Sequence, residues 1–320
     1  MCLVSFSLEL RLAQLSFSFI KKQVFTSIIC IIITYILSQL SFKYLKRFSY
    51  FILIGSLIMT LLTLYSGDVI NGVRRWIFIM GYCIQSSEIL KVSLIIPVAL
   101  LLNNKKHLWN MLLIFISVGL ILLEPDLGMA FLISMTVAME IFLIGEKLWL
   151  YIISGIIVII GVILSFSFMA WYAKERILIF LGKTKGFQIK QALKVLSSCN
   201  FFGSANYNIY IPDEHCDFIF TKLCASFGIG AGLLYIFSLF FIAYYISKKI
   251  RYKNFLTKII ASVTIFQFFI QNIIHILSNL GFIPTKGMTL PLVGFGSSGM
   301  IAYSISFGIL LNVLHTNTDE

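Results

Sequence analysis

Long apolar runs separated by short polar segments make up most of the chain. Runs such as 28–36 and 151–163, the second with one glycine, are continuous rather than alternating. They therefore specify helices and exclude the lipid-facing strands of a barrel. The pattern predicts nine membrane-spanning helices, over 25–40, 48–66, 89–102, 108–123, 128–144, 148–170, 218–246, 259–280 and 293–314. Residues 1–23 carry Glu9, Arg11, Lys21 and Lys22, too many charges to predict a span. The longest stretch without a span, 171–217, reads as a large loop leading into the seventh span. Within it, 186–196 has helical spacing, with Phe187, Ala192, Val195 and Leu196 on or near one side, and predicts an amphipathic helix along the membrane interface. The expected fold is a single all-α, polytopic membrane domain over 1–320.

Composition agrees. With 59% hydrophobic residues, 12% charged and a mean hydropathy of +0.96, the chain lies far from soluble domains, where about a quarter of residues are charged. The net charge of +12 would suggest nucleic acid in a soluble protein. In a membrane protein it first reflects the positive-inside bias and then any site for an anionic substrate, so no nucleic-acid partner is expected. Lys43, Lys46 and Arg47 follow the first span, Lys105 and Lys106 the third, and Lys248, Lys249, Arg251, Lys253 and Lys258 the seventh. Alternating spans put all of these on one side, the cytoplasm, together with the C-terminus. The external side then receives 67–87, 124–127, 171–217 and 281–292, which hold almost every unusual residue. The six cysteines show no C-x-x-C pair or zinc spacing and read as small buried hydrophobes.

These external segments carry the candidate chemistry. Of 13 acidic residues in the chain, Asp213, Glu214 and Asp217 fall in I-P-D-E-H-C-D-F-I-F at 211–220, at the lip of an apolar span. Such density near hydrocarbon suggests a site, although Pro212, Asp213 and Glu214 also suit the first turn of a helix. In a helix, Asp213 and Asp217 would share a face and His215 would point away. Arg74 and Arg75, beside Trp76, either snorkel at the interface or grip a phosphate through bidentate hydrogen bonds. Glu88 and Lys91, three apart, would pair on one helix face. In E-P-D-L-G at 124–128, Pro125 and Gly128 suit a tight turn, which leaves two carboxylates, one of them Asp126, unexplained. The loop 171–194 sets Lys174, Arg176, Lys183, Lys185, Lys190 and Lys194 against Glu175 alone, as an anion-binding surface would.

Seven motifs occur in order: N-G-V-R-R-W-I at 71–77, Q-S-S-E-I-L-K at 85–91, E-P-D-L-G at 124–128, G-E-K-L-W at 145–149, G-F-Q-I-K-Q-A-L at 186–193, I-P-D-E-H-C-D-F-I-F at 211–220 and P-T-K-G-M-T-L-P at 284–291. Together they resemble the SEDS family of peptidoglycan polymerases, from about residue 19 to 311. P-T-K-G and R-I-L-I-F at 176–180 look more like the division branch than the elongation branch. The resemblance implies an inverting glycosyltransferase of the bacterial cytoplasmic membrane that polymerises lipid II on the outer face, at the division septum. It implies Asp217 as the essential residue and Arg74, Arg75, Arg176, Lys286 and Gln191 as substrate-binding residues, with Glu88, Lys91, Asp126, Asp213 and Glu214 in support. The acceptor hydroxyl needs a base within hydrogen-bond reach, and the leaving pyrophosphate needs cations. No cofactor is firmly indicated. A divalent cation, magnesium or manganese, with Asp213 or Glu214 as ligands, is an alternative source of positive charge. The implied partners are lipid II, the growing glycan strand, membrane lipids, a class B penicillin-binding transpeptidase and other divisome proteins. Departures from the family pattern are Cys216 for threonine, Ala225-Ser226-Phe227-Gly228 for E-E-L-G, Ser86 for proline, His275 for asparagine, a shortened lead-in at 197–210, and a first span largely missing. A transporter of lipid-linked sugars and a catalytically degenerate scaffold are the alternatives.

Overall fold

The computed structural model describes residues 17–70, 72–79, 82–145, 187–202, 211, 215–284 and 287–315, with positions 149, 152, 155, 156 and 159. Among them, seven helices are long and apolar enough to cross a membrane, and His107–Leu123 is a shorter apolar helix. The expected span 148–170 lies outside the described residues apart from those isolated positions. Contacts divide the chain into two compact units that interleave along it.

The larger unit holds residues 29–171, 247–268 and 297–320. It takes the second half of α1 (Phe17–Gln39), then α2 (Phe42–Ser66), the strands β1 (Asp68–Ile70), β2 (Val73–Ile79) and β3 (Tyr82–Gln85), and the helices α3 (Ser86–Ser93), α4 (Ile95–Asn103), α5 (His107–Leu123) and α6 (Leu127–Ile144). The smaller unit holds 1–28, 172–246 and 269–296. It contains α7 (Phe187–Ser197), α8 (Ile219–Phe227) and nearly all of α9 (Ile229–Ile250). The helix α10 (Phe255–Asn279) gives its first half to the larger unit and its second to the smaller, and α11 (Ser297–His315) belongs to the larger.

α2 shows how these helices associate. Its buried stripe is Phe42, Leu45, Ser49, Leu53, Ser56, Thr60 and Thr63, mostly small or hydroxylic residues at helical spacing. Its large apolar residues, Phe48, Phe51, Ile54, Ile58 and Leu62, are exposed. This inverts the soluble pattern: lipid accepts bulk, while small residues let backbones approach. The hydroxyls satisfy themselves on their own helix, as Thr60 Oγ1 does on Ser56 O (2.9 Å), or across to α3, where Ser56 Oγ meets Ser93 Oγ at 2.7 Å. At Gly308 of α11 an added Cβ would lie 2.7 Å from Leu37 Cβ. That close approach lets Thr34 Oγ1 donate to Ser304 O (3.0 Å) and Asn312 Nδ2 to Leu37 O (3.0 Å).

Several boundaries differ from the sequence expectation. α1 starts at Phe17 rather than 25, because exposed Lys21 and Lys22 sit at its end, where lysines reach for polar surroundings. The third span breaks at Leu94, since Pro97 has no N–H to give Ser93 O. The seventh is two helices, α8 and α9, split at Gly228, whose φ of +90° suits only glycine. Residues 67–87, read as a loop, form an antiparallel sheet of order β1-β2-β3, with Ile70 opposite Val73 and Ile79 opposite Tyr82. Both connections are two residues long, and Gly72 takes a φ of +77°. Ser297 Oγ donates to Cys83 O (3.0 Å), tying β3 to α11.

Candidate active site

In the larger unit, the sheet and the α5–α6 turn converge at the helix ends opposite Lys43, Lys46, Lys105 and Lys106. Arg74 and Arg75 are neighbours on β2 and so face opposite sides. Arg74 is exposed, and its Nη1 donates to Tyr65 O at 2.8 Å. Arg75 turns inward: Nε donates to Glu124 O (2.9 Å), Nη2 to Pro125 O, and Nη1 lies 3.9 Å from Asp126 Oδ2. Of the two arginines read as a phosphate grip, Arg75 thus clamps the turn, and Arg74 keeps most of its five donors outward. Asp126 also takes Gln85 Nε2 (2.9 Å) and caps α6 through Met129 N–H (3.2 Å).

Glu124, the other unexplained carboxylate of E-P-D-L-G, is buried like Asp126. Its Oε1 accepts from Ser86 Oγ at 3.0 Å, while Oε2 is buried without a hydrogen-bond partner among the described residues. Burial pushes its carboxyl up to about 8, outweighing the Ser86 hydrogen bond and the Arg75 charge. The folded protein thus keeps this proton at pH values where the unfolded chain, at the ordinary 4.5, has lost it. Stability contributed by Glu124 therefore falls as pH rises from about 4.5 to about 8 and is level above that. Glu124→Gln is expected to flatten that part of the stability curve, read as Tm against pH. An unchanged slope would contradict the assignment.

Glu88 and Lys91 pair as their spacing predicts, within α3. Both are buried, Lys91 at 0% exposure, with Nζ 4.3 Å from the centre of the Tyr303 ring. Gln267 Nε2 of α10 reaches Lys91 O at 3.0 Å.

In the smaller unit, Asp217 lies on a turn, His215–Phe218, and α8 begins only at Ile219. The expected helix through 213–217 does not extend to Asp217. The carbonyl of His215, which a helix would give to residue 219, accepts Phe295 N–H instead (3.0 Å). Asp213, expected on the same helix face as Asp217, lies outside the described residues. Phe295 and Asn279 hold the turn. Cys216 Sγ donates to Phe295 O (3.1 Å), and Asn279 Nδ2 of α10 donates to Asp217 O (2.8 Å). Asn279 Oδ1 accepts from Thr221 N–H (3.1 Å) and Thr221 Oγ1 (2.9 Å), fixing the first turn of α8 as well. Phe218, fully buried, packs with Ile211, Ala225 and the α7 residues Ala192 and Val195. Anchoring Phe218 inward leaves the side chain of Asp217 half-buried at the lip. The amphipathic helix expected at 186–196 is α7, and Gln191 is half-buried on it beside Ala192.

Sequence reasoning missed Asn279 and Lys222, both buried. A lysine at 1% exposure in an apolar run was a visible signal, whereas an amide that serves main-chain groups leaves none. Arg176, Asp213, Glu214 and Lys286 lie outside the described residues. Among the described residues no cluster of three His, Cys, Asp or Glu side chains offers a cation a ligand set.

The family FTSW_RODA_SPOVE, described as "Cell cycle protein", matches residues 1–319. The chain is 33% identical over 319 residues to the probable peptidoglycan glycosyltransferase FtsW of Buchnera aphidicola subsp. Acyrthosiphon pisum (strain APS), covering 92% of this chain and 79% of the relative. Two solved structures share the fold. One is a chain of a peptidoglycan synthase complex that coordinates polymerization and crosslinking (TM-score 0.78, 22% identity, 99% of this chain and 96% of that one). The other is the rod shape determining protein RodA of Thermus thermophilus (TM-score 0.73, 21% identity, 98% and 92%).

Proposed function

The chain belongs to the FtsW/RodA/SpoVE family of cell cycle proteins, and on that premise we propose that it is a peptidoglycan glycosyltransferase, polymerising lipid II with Asp217 as its base. The observation that carries the assignment is the turn His215–Phe218: its main chain is fixed by Asn279 and Phe295, while a carboxylate stands half-buried at its rim. A group so held meets its substrate without reorganising. The acceptor sugar's hydroxyl gives its proton to Asp217 as its oxygen bonds to the donor's anomeric carbon. The bond from that carbon to the lipid pyrophosphate breaks with inversion, so one base suffices and no glycosyl-enzyme forms. Exposed Arg74 fits the role of a cation for the pyrophosphate, with Arg176 and Lys286 as further candidates and Gln191 as a hydrogen-bonding contact. Arg75, Asp126, Glu88 and Lys91 hold the scaffold around Arg74. A magnesium or manganese ion remains a candidate for the same charge, through Asp213 or Glu214.

The site faces outward in this reading, because alternating spans put 67–87, 124–127, 171–217 and 281–292 on the side opposite the lysine-rich segments. The partners follow from it: the glycan strand, and a class B penicillin-binding transpeptidase with other divisome proteins at the septum. Supplying labelled lipid II to the purified protein, with and without such a transpeptidase, tests the function. Glycan chains lost in Asp217→Ala support it; lipid translocation without polymer indicates a transporter, and transpeptidase binding without either indicates a scaffold. Sidedness has its own check. Tyr44→Cys, at an exposed position in the first basic cluster, should resist a membrane-impermeant thiol reagent in intact cells. Labelling there would reverse the topology.

A further inference from the structure

The lead-in to the Asp217 turn is fastened to a membrane-spanning helix. The N–H groups of Ile229 and Gly230 stand in the first turn of α9, where a helix offers its own donors no partner. Ile229 N–H donates to Asn200 O (2.9 Å) and Gly230 N–H to Phe201 O (3.0 Å). A Cβ on Gly230 would lie 2.9 Å from Phe201 O and 3.4 Å from the Phe201 ring, so the approach depends on glycine. Phe202 stands edge to face with Phe201, ring centres 4.5 Å apart, yet Phe201 is 53% exposed and Phe202 85%.

The depth of this pair decides what covers it. α9 runs for 22 residues, with Lys248 and Lys249 in its last turn. At about 1.5 Å per residue such a helix only just covers a hydrocarbon core of about 30 Å, so its first turn lies at one boundary. The helix face below the pair is a lipid-facing one. Leu233 and Leu234, next on the face of Gly230, are exposed, as is Phe237 one turn further.

We propose that Phe201 and Phe202 form a wedge that inserts among the acyl chains of the outer leaflet and anchors the segment before Asp217 at the hydrocarbon boundary. The leaflet follows from the sidedness given above, and the use in catalysis rests on the polymerase reading. Two apolar rings left open by the described residues, at the rim of a lipid-facing helix face, have acyl chains for neighbours. The wedge falls in the shortened lead-in at 197–210, where the sequence departs from the family pattern. A lipid-linked substrate carries its pyrophosphate where the chain leaves the hydrocarbon. A catalytic segment held at that depth meets it without a search along the membrane normal.

The test replaces the four native tryptophans by phenylalanine, introduces Phe202→Trp, and reads its fluorescence in nanodiscs of brominated phosphatidylcholine. The emission maximum is expected to shift to short wavelength. Loss of emission should be greater to bromines near the headgroup than to bromines at the chain ends, and slight to aqueous iodide. Loss to iodide without loss to the bromolipids overturns the proposal, and strongest loss to chain-end bromines overturns the depth assigned to the wedge. Where the tryptophan-free background does not fold, Phe202→Trp gives the same reading as a difference from the unsubstituted protein. In the lipid II assay, Phe201→Ser/Phe202→Ser should raise KM several-fold with kcat little changed. An unchanged KM would remove the wedge from substrate capture. A protein inactive throughout refutes the polymerase reading and leaves the depth measurement standing.

Discussion

Asp217→Asn is expected to lower glycan-chain formation by about 10²–10⁴-fold, the range for removing a positioned general base. The amide keeps the size of the carboxylate but has no basicity at neutral pH. Its main chain should remain in place, because the partners of the turn are Asn279 Nδ2 and the Phe295 backbone, which do not depend on the side chain. A normal Tm with lost turnover is therefore the signature of chemistry rather than folding. Asp217→Glu should recover part of the rate, since it restores a base displaced by one methylene. Wild-type polymer from Asp217→Asn would remove the residue from the mechanism and with it the proposed reaction. The comparison is best made at saturating lipid II, where a change in kcat reports loss of transition-state stabilisation rather than of binding.

Lys91→Met should be the most destabilising change in the larger unit, by about 3–5 kcal/mol. Lys91 pairs with Glu88 inside α3, a helix whose described side chains are nearly all buried. Removing the ammonium leaves a buried carboxylate without its counter-charge and also removes the cation from the Tyr303 ring. The double variant Glu88→Gln/Lys91→Met should recover most of the loss, because neither charge then remains to be compensated. Thermal unfolding of both variants in lipid nanodiscs measures this. A single variant no less stable than the double would show that the pair is not coupled.

The helices were legible because bilayer thickness demands long apolar runs, which soluble folds seldom produce. The sheet was not. In V-R-R-W-I-F-I the adjacent arginines suggested interface anchors or a phosphate grip, and the run has no apolar–polar alternation to mark β2. Gly228 was hidden inside one apolar run, although its positive φ divides that run into α8 and α9. Motif order brought out Asp217 as the candidate base. How it is held was not legible, since Asn279 and Phe295 act through main-chain bonds that any nearby sequence can accept. The pairing of Glu88 with Lys91 lies between these cases: spacing predicted it, but only three dimensions bring in Tyr303 and Gln267.

The pinning of the Asp217 turn also has a consequence in time. Its fasteners come later in the chain than the turn itself: Asn279 follows Asp217 by 62 residues, and Phe295 follows Cys216 by 79. At roughly 5–20 residues per second of synthesis, the turn leaves the ribosome several seconds before Asn279 and Phe295 exist to bond its main chain. The nascent protein therefore carries its carboxylate on a turn whose main-chain bonds to Asn279 and Phe295 are still to come, until α10 and the segment after it have been made. If Asp217 is the base, the turn gains its main-chain hold only after residue 295 has been made.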